Sequence, residues 1–506
     1  MKITLPFLMS ILSVVSLSAQ EQGEEGGMAV TADAVPIKEL HIMEARTLLE
    51  RRDFTLLAAL AEVDAGQYSF LSQYGIFDPV LGLGTSQTRT RSRVAPGSPL
   101  DLLGREHQRD IVDAGTLSLS RLWSAGTLTS IALTDSRTRT NLPGIDPEPY
   151  NSMSGSFTIT QPLLKGFGSD SVMAAIRQAQ ESYEKLRDSY RHTKLARREQ
   201  LEAGYFSWIL ARQSERVRAA SVRRAEDVLR YNRSAYEAGS FSNTEVLEAE
   251  TQLLERQADL LSSQQDTLDA EDTLRLMLGW EGISSVLTSD EAIPHVEHEG
   301  ILGEEDLVQM ALSQRDDLKA LDRDISSNSH ARSKAERDVL PQLDLEFEAG
   351  TEGVRSNAGR ASGDIFSDRD ITLTLGLNMT YPLGNNEAEK SLASLRSSRR
   401  RLKILKEQLR YQIRSQVREK QRAVEIQRKV VETRAKALES ATATLKAETQ
   451  KHRLGRISTL TLSQVEERSD NAHLNYLRAQ RDAYLAVVGL RVTLGSLPET
   501  SSEIRP

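Results

Sequence analysis

The sequence predicts a mainly α fold with some β, in which a long helical hairpin and a few amphipathic strands each occur twice. Three observations predict it. Ser156–Gly168 (SFTITQPLLKGFG) is echoed by Leu373–Gly384 (LTLGLNMTYPLG), and in both copies alternating residues reach a Pro-Leu step before a long charged segment. Alternation has period two and needs a strand. The charged segments that follow lack proline and keep apolar residues on one stripe, in the second mostly in steps of seven, as long packed helices do. Finally, 39% hydrophobic and 5% aromatic residues in 506 are thin for conventional globular cores but suit helices with one narrow apolar seam.

At the N-terminus, Lys2, the apolar run Ile3–Val15 and the small residues Ser16–Ala19 read as a secretory signal over 1–19. Residues 20–37, rich in Glu and Gly, read as a flexible lead. No later stretch offers the ~20 apolar residues of a membrane-spanning helix. The absence of cysteine excludes disulfides, thiolate metal sites and a lipoprotein anchor, and the net charge of −8 with a pI near 5.7 argues against nucleic acid as a partner.

The first repeat covers 38–290. Leu48, Leu49, Leu56, Leu57 and Leu60 place a helix over Lys38–Tyr74, ended by Phe77-Asp-Pro79. Strands within 79–161 are expected at Leu81–Leu83, Thr116–Ser120, Gly126–Thr140 and Ser154–Gln161, separated by turn-formers at Pro96–Pro99 and Pro143–Pro147. Pro162 lacks the N–H of a ladder and marks the strand's end. A helical hairpin over 170–279 follows, its long arm striped by Ile176, Leu186, Leu201, Trp208, Val222 and Leu229, its return arm by Leu247, Leu254, Leu261 and Leu268, expected to zip onto the long arm.

Residues 291–305 read as a connector. The second repeat, 306–495, has a helix over Asp306–Val339, strands within 341–381 at Leu343–Phe347 and Ile371–Tyr381 separated by Gly350–Gly363, and the stop at Pro382. Its hairpin over 387–495 carries Leu395, Leu402, Leu409, Val417, Val424, Val431, Leu438 and Leu445 on the long arm and Leu474, Leu477 and Leu490 on the return arm; 496–506 is a tail. The interval from Gly239 to Leu278-Gly279 equals that from Gly455 to Leu494-Gly495, so this arm keeps its length. Pro79 to Pro162 spans 83 residues against 41 from Pro341 to Pro382, a surplus of 42 assigned to extended strands and outward loops around Pro96–Asp113 and Pro143–Pro149.

Gly239 and Gly455 suit the left-handed residue after a helix. Ser242 and Glu245 form an S-x-x-E capping box for the return arm; Ser458 repeats the cap, but Thr461 stands in place of the acid. Turns this short force antiparallel arms.

With these residues in place the chain resembles the TolC-like outer-membrane efflux proteins over nearly everything after the signal. The resemblance rests on Gln161-Pro-Leu-Leu-Lys-Gly166, Tyr381-Pro-Leu-Gly384, both glycine hairpins, Gly204-Tyr205-Phe206 and Leu340-Pro-Gln-Leu-Asp-Leu345, in that order and duplicated. It implies a homotrimer sharing a twelve-stranded barrel in the outer membrane, with an α-barrel in the periplasm. It also implies a passive exit for small molecules or proteins, serving an efflux pump or a type I secretion system. The partners implied are a periplasmic adaptor, an inner-membrane transporter and outer-membrane lipid. Independently, two short strand sets cannot close a barrel alone, and an open edge in lipid is costly, so strands must be shared.

By the same resemblance the hairpin ends form the periplasmic aperture, with Gly239, Ser242, Glu245, Glu248, Gly455, Arg456 and Ser458 around it. The family's usual ionic residues are incomplete: Thr461 and Gln464 replace acids, Ile457 replaces a base, and Arg456 is displaced by one. Glu245 reads equally as gate and as half of a capping box. No phosphate loop, nucleophile elbow or H-E-x-x-H motif occurs, so no enzyme, cofactor or metal is expected. His295-Val-Glu-His298-Glu299 reads as a solvated connector rather than a metal site. Arg89, Arg91, Arg93, Arg137 and Arg139 alternate along strand ends, as exposed termini, as pore-mouth residues or as contacts to lipopolysaccharide phosphates. A periplasmic adaptor or a structural coiled coil are the alternatives, and neither accounts for two hairpins together with amphipathic strands.

Overall fold

The structure, a computed structural model, describes residues 40–97, 101, 104, 106–140, 149–279, 289, 291–294, 303–355 and 371–496. The signal, the lead, the His295–Glu299 cluster and the tail beyond Ser496 lie outside these residues. Almost all described residues belong to one compact unit, His41–Glu281 with Ser289–Pro506; the other unit, Met1–Leu40 with Gly282–Thr288, contributes only Leu40 to them.

In the large unit, α1 (Ile42–Arg52), α2 (Phe54–Ser72) and a 3-10 turn lead into β1 (Val80–Arg93), β2 (His107–Leu122), β3 (Leu128–Thr140) and β4 (Tyr150–Pro162). The short α3 (Ser169–Val172) precedes the hairpin of α4 (Ala174–Glu237) and α5 (Asn243–Met277). The order then recurs as α6 (Glu304–Gln314), α7 (Asp316–Asp338), β5 (Gln342–Arg355), β6 (Ile371–Thr380), α8 (Asn386–Arg453) and α9 (Thr459–Thr493).

The single helices expected over Lys38–Tyr74 and Asp306–Val339 are each broken in two. At Asp53 the backbone is extended (φ −66, ψ 115), and the carboxylate caps α2 by accepting the Leu56 N–H at 2.8 Å while binding Arg197 of α4. At Arg315 (φ −63, ψ 124) the guanidinium grips Asp317 at 2.6 and 3.0 Å. Each break receives the glycine that ends a return arm. A Cβ on Gly279 would lie 2.8 Å from the Arg52 carbonyl oxygen, and one on Gly495 would lie 3.1 Å from the Gln314 carbonyl carbon. The two Leu-Gly pairs therefore do the same work in both halves: they let a helix end press against the backbone of a broken neighbour.

The long arms α4 and α8 have 64 and 68 residues, about 100 Å each at ~1.5 Å per residue. On α8 the seven-residue stripe is the covered side: Val417 and Val424 are fully buried and the other six positions are half-buried. Ile413, Val417 and Val424 join Leu307, Val308, Leu318, Val487 and Leu490 in one core that ties α6, α7, α8 and α9 together. Leu474 and Leu477 of α9 pack on Leu210 and Val217 of α4. The return arm α5 departs from expectation. Leu247, Leu254, Leu261 and Leu268 are 54–67% exposed, and α5 meets α4 through Val246 and Ala249, packed on Leu229, instead. Gly204 and Ala249, which are small, let that neighbouring face approach, and the leucine row is left pointing away.

The six strands form one sheet in the order β1-β2-β3-β4-β5-β6, every pair antiparallel, with registers that continue unbroken by a bulge. The strands are longer than apolar alternation indicated. β1 runs on to Arg93, β2 begins at His107 inside the expected Pro96–Asp113 loop, and Gly350 lies within β5. Polar alternation of Thr, Ser and Arg extends each ladder because pairing needs backbone groups, not apolar side chains. The surplus between Pro79 and Pro162 is thus an additional strand pair. The six strands among the described residues are two more than the four per chain that the twelve-stranded trimer of the resemblance requires.

Gly279→Ala and Gly495→Ala should each lower the thermal stability of the folded chain, by at least about 1–2 kcal/mol from the left-handed backbone alone (φ +57 and +85). Circular dichroism melts showing no loss for either variant would contradict this packing.

Candidate functional site

Because the registers are unbroken, parity along each strand assigns every sheet residue to one of two faces. One face carries Leu81 and Leu83, Leu117 and Leu119, Ile131 and Leu133, Phe157 and Ile159, Leu345 and Phe347, and Ile371 through Met379 at every second residue. Many of these side chains are exposed, Leu375 at 75%. The opposite face carries Gly82, Gly84, Ser86, Thr88 and Thr90 on β1, with Ser118, Thr116, Ser130, Thr134, Ser154 and Thr158 on the next strands. Its carboxylates are Asp110 on β2 and Asp344, Glu346, Glu348 and Glu352 on β5. An apolar face and a face of small hydroxyls are the pair of surfaces that a wall between lipid and water needs. Among the described residues no helix is long and apolar enough to cross a membrane.

Pro162 and Pro382 sit where the wall meets the helices. β4 ends at Pro162, and Leu163 still donates to the Leu343 carbonyl at 2.7 Å, so the proline occupies a position that needs no donor. β6 ends at Thr380; the turn after Pro382 places Asn385 in the left-handed region (φ 36), where its amide donates to the Val339 carbonyl at 2.8 Å.

At the far end, both hairpins close by the same backbone device. Gly239 (φ 73) and Gly455 (φ 68) follow the long arms, and the N–H groups of Ser240 and Arg456 return to the carbonyls of Ala235 and Lys451 at 2.8 and 3.0 Å. Ser458 caps α9 by accepting the Thr461 N–H at 3.2 Å. The box expected between Ser242 and Glu245 does not form, since Ser242 makes no side-chain cap bond. Glu245 crosses to the other hairpin and accepts the Thr459 N–H at 2.9 Å as well as the Thr459 hydroxyl. The acid that the second hairpin lacks at Thr461 is therefore supplied by the first.

Around this contact Asn232, fully buried, donates to the Glu245 carbonyl at 3.0 Å and to Thr459 Oγ1 at 2.8 Å. His452 packs edge-on against Phe241 and tilted against Tyr231, and burial pushes its imidazole pKa down against the pull of Glu245, so the neutral ring is the packed form. Asn232, Tyr231 and His452 carried no motif by which the sequence reading could have found them. Arg456 is exposed and Glu248 half-buried; the tip of one chain does not bring them together. Among the described residues no group of three or more His, Asp or Glu is gathered as for a metal ion.

The description "Outer membrane efflux protein" matches residues 46–280 and 307–496, both halves of the duplicated architecture. The chain belongs to the outer membrane efflux protein family. A comparison with curated proteins finds no significant match. Among solved structures, the outer-membrane channel OprN is similar at TM-score 0.64 and 13% identity, over 90% of this chain and 89% of that one. The VceC outer membrane protein of Vibrio cholerae follows at 0.62 and 14% (90% and 96%), and the Campylobacter jejuni outer membrane channel CmeC at 0.61 and 12% (90% and 85%). At such identities the likeness is one of fold.

Two buried polar clusters hold this efflux protein's helices in register. Midway, Glu202 of α4, wholly buried, accepts Arg46 Nε of α1 at 2.8 Å and the Tyr484 hydroxyl of α9 at 2.9 Å. Tyr205 donates to Glu291 at 2.6 Å, and burial pushes both tyrosine pKa values up. Nearer the tips, Arg224 of α4 pairs with Asp470 of α9, Arg256 of α5 reaches in from the other side, and Glu466 sits among them. Burial pushes the Glu466 carboxyl up to about 6, with Asp470 adding to the shift and the two arginines opposing it.

A raised carboxyl pKa means that the folded chain holds this proton more tightly, so stability falls as pH rises through the window from 4.5 to about 6. Glu466→Gln should accordingly stabilise the chain at pH 7.5, by at most about 2 kcal/mol, and change little at acidic pH below the window. Thermal melts at both pH values check this; a loss of stability at pH 7.5 would show that the charged form is the one the site favours.

Proposed function

We propose that three copies of the chain form a passive exit duct through the outer membrane, with the helices in the periplasm. The duct would receive cargo from an inner-membrane transporter through a periplasmic adaptor, in an efflux pump or a type I secretion system. One observation carries the reading: a six-stranded sheet with an apolar face, a hydroxyl face and, among the described residues, two unpaired edges, β1 and β6. In lipid those edge N–H and C=O groups have no water to bond, so β1 of one copy pairs with β6 of the next. The helices support the same closure. Within one chain α5 lies against α4 and α8 against α9. The leucine row of α5 is uncovered, and this helix has nine acidic and two basic residues, whereas α8 has nineteen basic and eight acidic. Opposite charge on opposite flanks favours one head-to-tail ring over random association.

Three copies of six strands make an eighteen-stranded barrel, about half as wide again as one of twelve, since diameter grows roughly linearly with strand number. The small side chains of the hydroxyl face leave that width open. The duplicated units 38–290 and 306–495 then act as two pseudo-equivalent staves. A periplasmic adaptor or a coiled coil without transport would have no use for such a wall.

Single-particle electron microscopy of the detergent-solubilised protein should show trimers with a helical tube about 100 Å long and an eighteen-stranded rim. Compact monomers would sink the assembly, and a twelve-stranded rim would sink the strand count. For the aperture, we take Glu245 and Glu248, threefold around the axis and met by Arg456 of a neighbouring hairpin, as an acidic constriction favouring cations. Glu245→Gln with Glu248→Gln should reduce cation selectivity in single-channel recordings. Unchanged selectivity in an assembled trimer would leave Glu245 as a cap for α9 alone.

A further inference from the structure

We propose that the outer ends of β1, β2 and β3 form an arginine belt that binds the phosphate groups of the glycolipid in the outer leaflet. The inference rests on the barrel reading above. Arg89, Arg91 and Arg93 share parity with Leu81 and Leu83, and Arg109, Arg137 and Arg139 fall on the same face through the pairs Arg91↔Arg109, Arg89↔Ile111 and Ile111↔Arg139. All six belong to the apolar, lipid-side face. The hydroxyl side at the same level carries Thr88, Thr90 and Ser92. Unbroken register thus decides between a pore mouth and a lipid contact, which residue spacing alone left open.

Height and charge agree with that assignment. Trp123, 45% exposed with Arg121 stacked on its ring at 4.5 Å, marks the helix-side interface just beyond β2. Ile111, the partner of Arg89, lies twelve residues further up β2. At ~3.4 Å per residue and a tilt of ~40° this is a height of about 30 Å, slightly more than the ~25 Å apolar band of an outer-membrane barrel. The arginines therefore begin where headgroups begin.

Two carboxylates share this face, Asp113 and Asp135. Asp113 is taken by Arg139 at 2.5 Å and Gln87 at 2.6 Å. Among the described residues Arg89, Arg91 and Arg93 meet no carboxylate within ion-pair distance, and all three are exposed. Guanidinium forks two residues apart on one strand face suit the bidentate geometry of phosphate monoesters, as lysines would not. The ligand class is a lipid phosphate with its acyl chains against the leucine rows below; free phosphate offers the charge without that second contact.

The test compares wild type with the triple variant Arg89→Gln, Arg91→Gln, Arg93→Gln and with its Arg→Lys counterpart. The measurement is heat-dissociation of the detergent-purified trimer on semi-native gels, titrated with bisphosphorylated lipid A, with dephosphorylated lipid A and with inorganic phosphate. Wild type should be protected by the bisphosphorylated lipid alone. The Gln variant should assemble and conduct as wild type does but need about tenfold or more lipid for the same protection, and the Lys variant should fall between. Equal protection of the Gln variant, equal effect of the dephosphorylated lipid, or equal effect of inorganic phosphate would each overturn the belt. If the Gln variant does not assemble, the Lys variant decides: wild-type lipid dependence there also overturns the bidentate site. A wild-type chain that forms no conducting trimer would overturn the barrel reading itself, whereas a conducting trimer indifferent to lipid phosphate overturns only this inference.

Discussion

The rest of this molecule depends on the rule that backbone polar groups facing lipid must find partners in protein. A six-stranded antiparallel sheet satisfies its four inner strands and leaves β1 and β6 each with one unpaired row. The unusual composition follows from this. The chain does not fold around a large interior; it builds a wall one strand thick, whose two faces must suit two solvents, and it spends few aromatic residues because there is little volume to fill. In the proposed assembly, the exposed leucines on the sheet and on α5 are surfaces that meet lipid in one case and a second copy in the other.

The helical part is held by a different principle, the stacking of local devices at three levels. Near the sheet, Pro162 and Asn385 turn strands into helices without breaking the ladder or leaving the Val339 carbonyl unpaired. Midway, the Gly279 and Gly495 ends press against the extended residues Asp53 and Arg315, and the buried Glu202 carboxylate joins α1, α4 and α9. At the tips, Glu245 joins the hairpins through the N-terminus of α9. The buried carboxylates Glu202 and Asp470 are paired with Arg46 and Arg224, so these contacts fix position more than they add stability.

In the proposed duct, the tip contact would join cap and aperture in one residue. Glu245 bonds Thr459 of its own chain, beside a neutral His452 and the buried Asn232, so any opening that separates the two hairpins must break a charge-assisted bond and expose a polar cluster. In the proposed duct, a closed resting state would then follow from ordinary helix capping, shared between two helices, without the complete set of ionic residues that the family resemblance implied.

The sequence by itself determined the duplicated order of helix, strands, proline step and glycine hairpin, because each is encoded by period or by turn chemistry within a few residues. The positive φ of Gly239 and Gly455, the covered stripe of α8 and the six strands were all legible in this way. Tertiary structure alone decided matters that depend on what lies opposite. Leu247, Leu254, Leu261 and Leu268 repeat every seven residues, yet α4 meets the smaller neighbouring face, so the stripe that spacing marked as the seam is the exposed one. Glu245 sits three residues after Ser242, but Thr459 offers an unpaired N–H within reach and takes its carboxylate. Strand ends at Arg93 and His107 are set by backbone pairing, which leaves no trace in hydrophobicity, and the face of each arginine by a register that only the partner strand can fix.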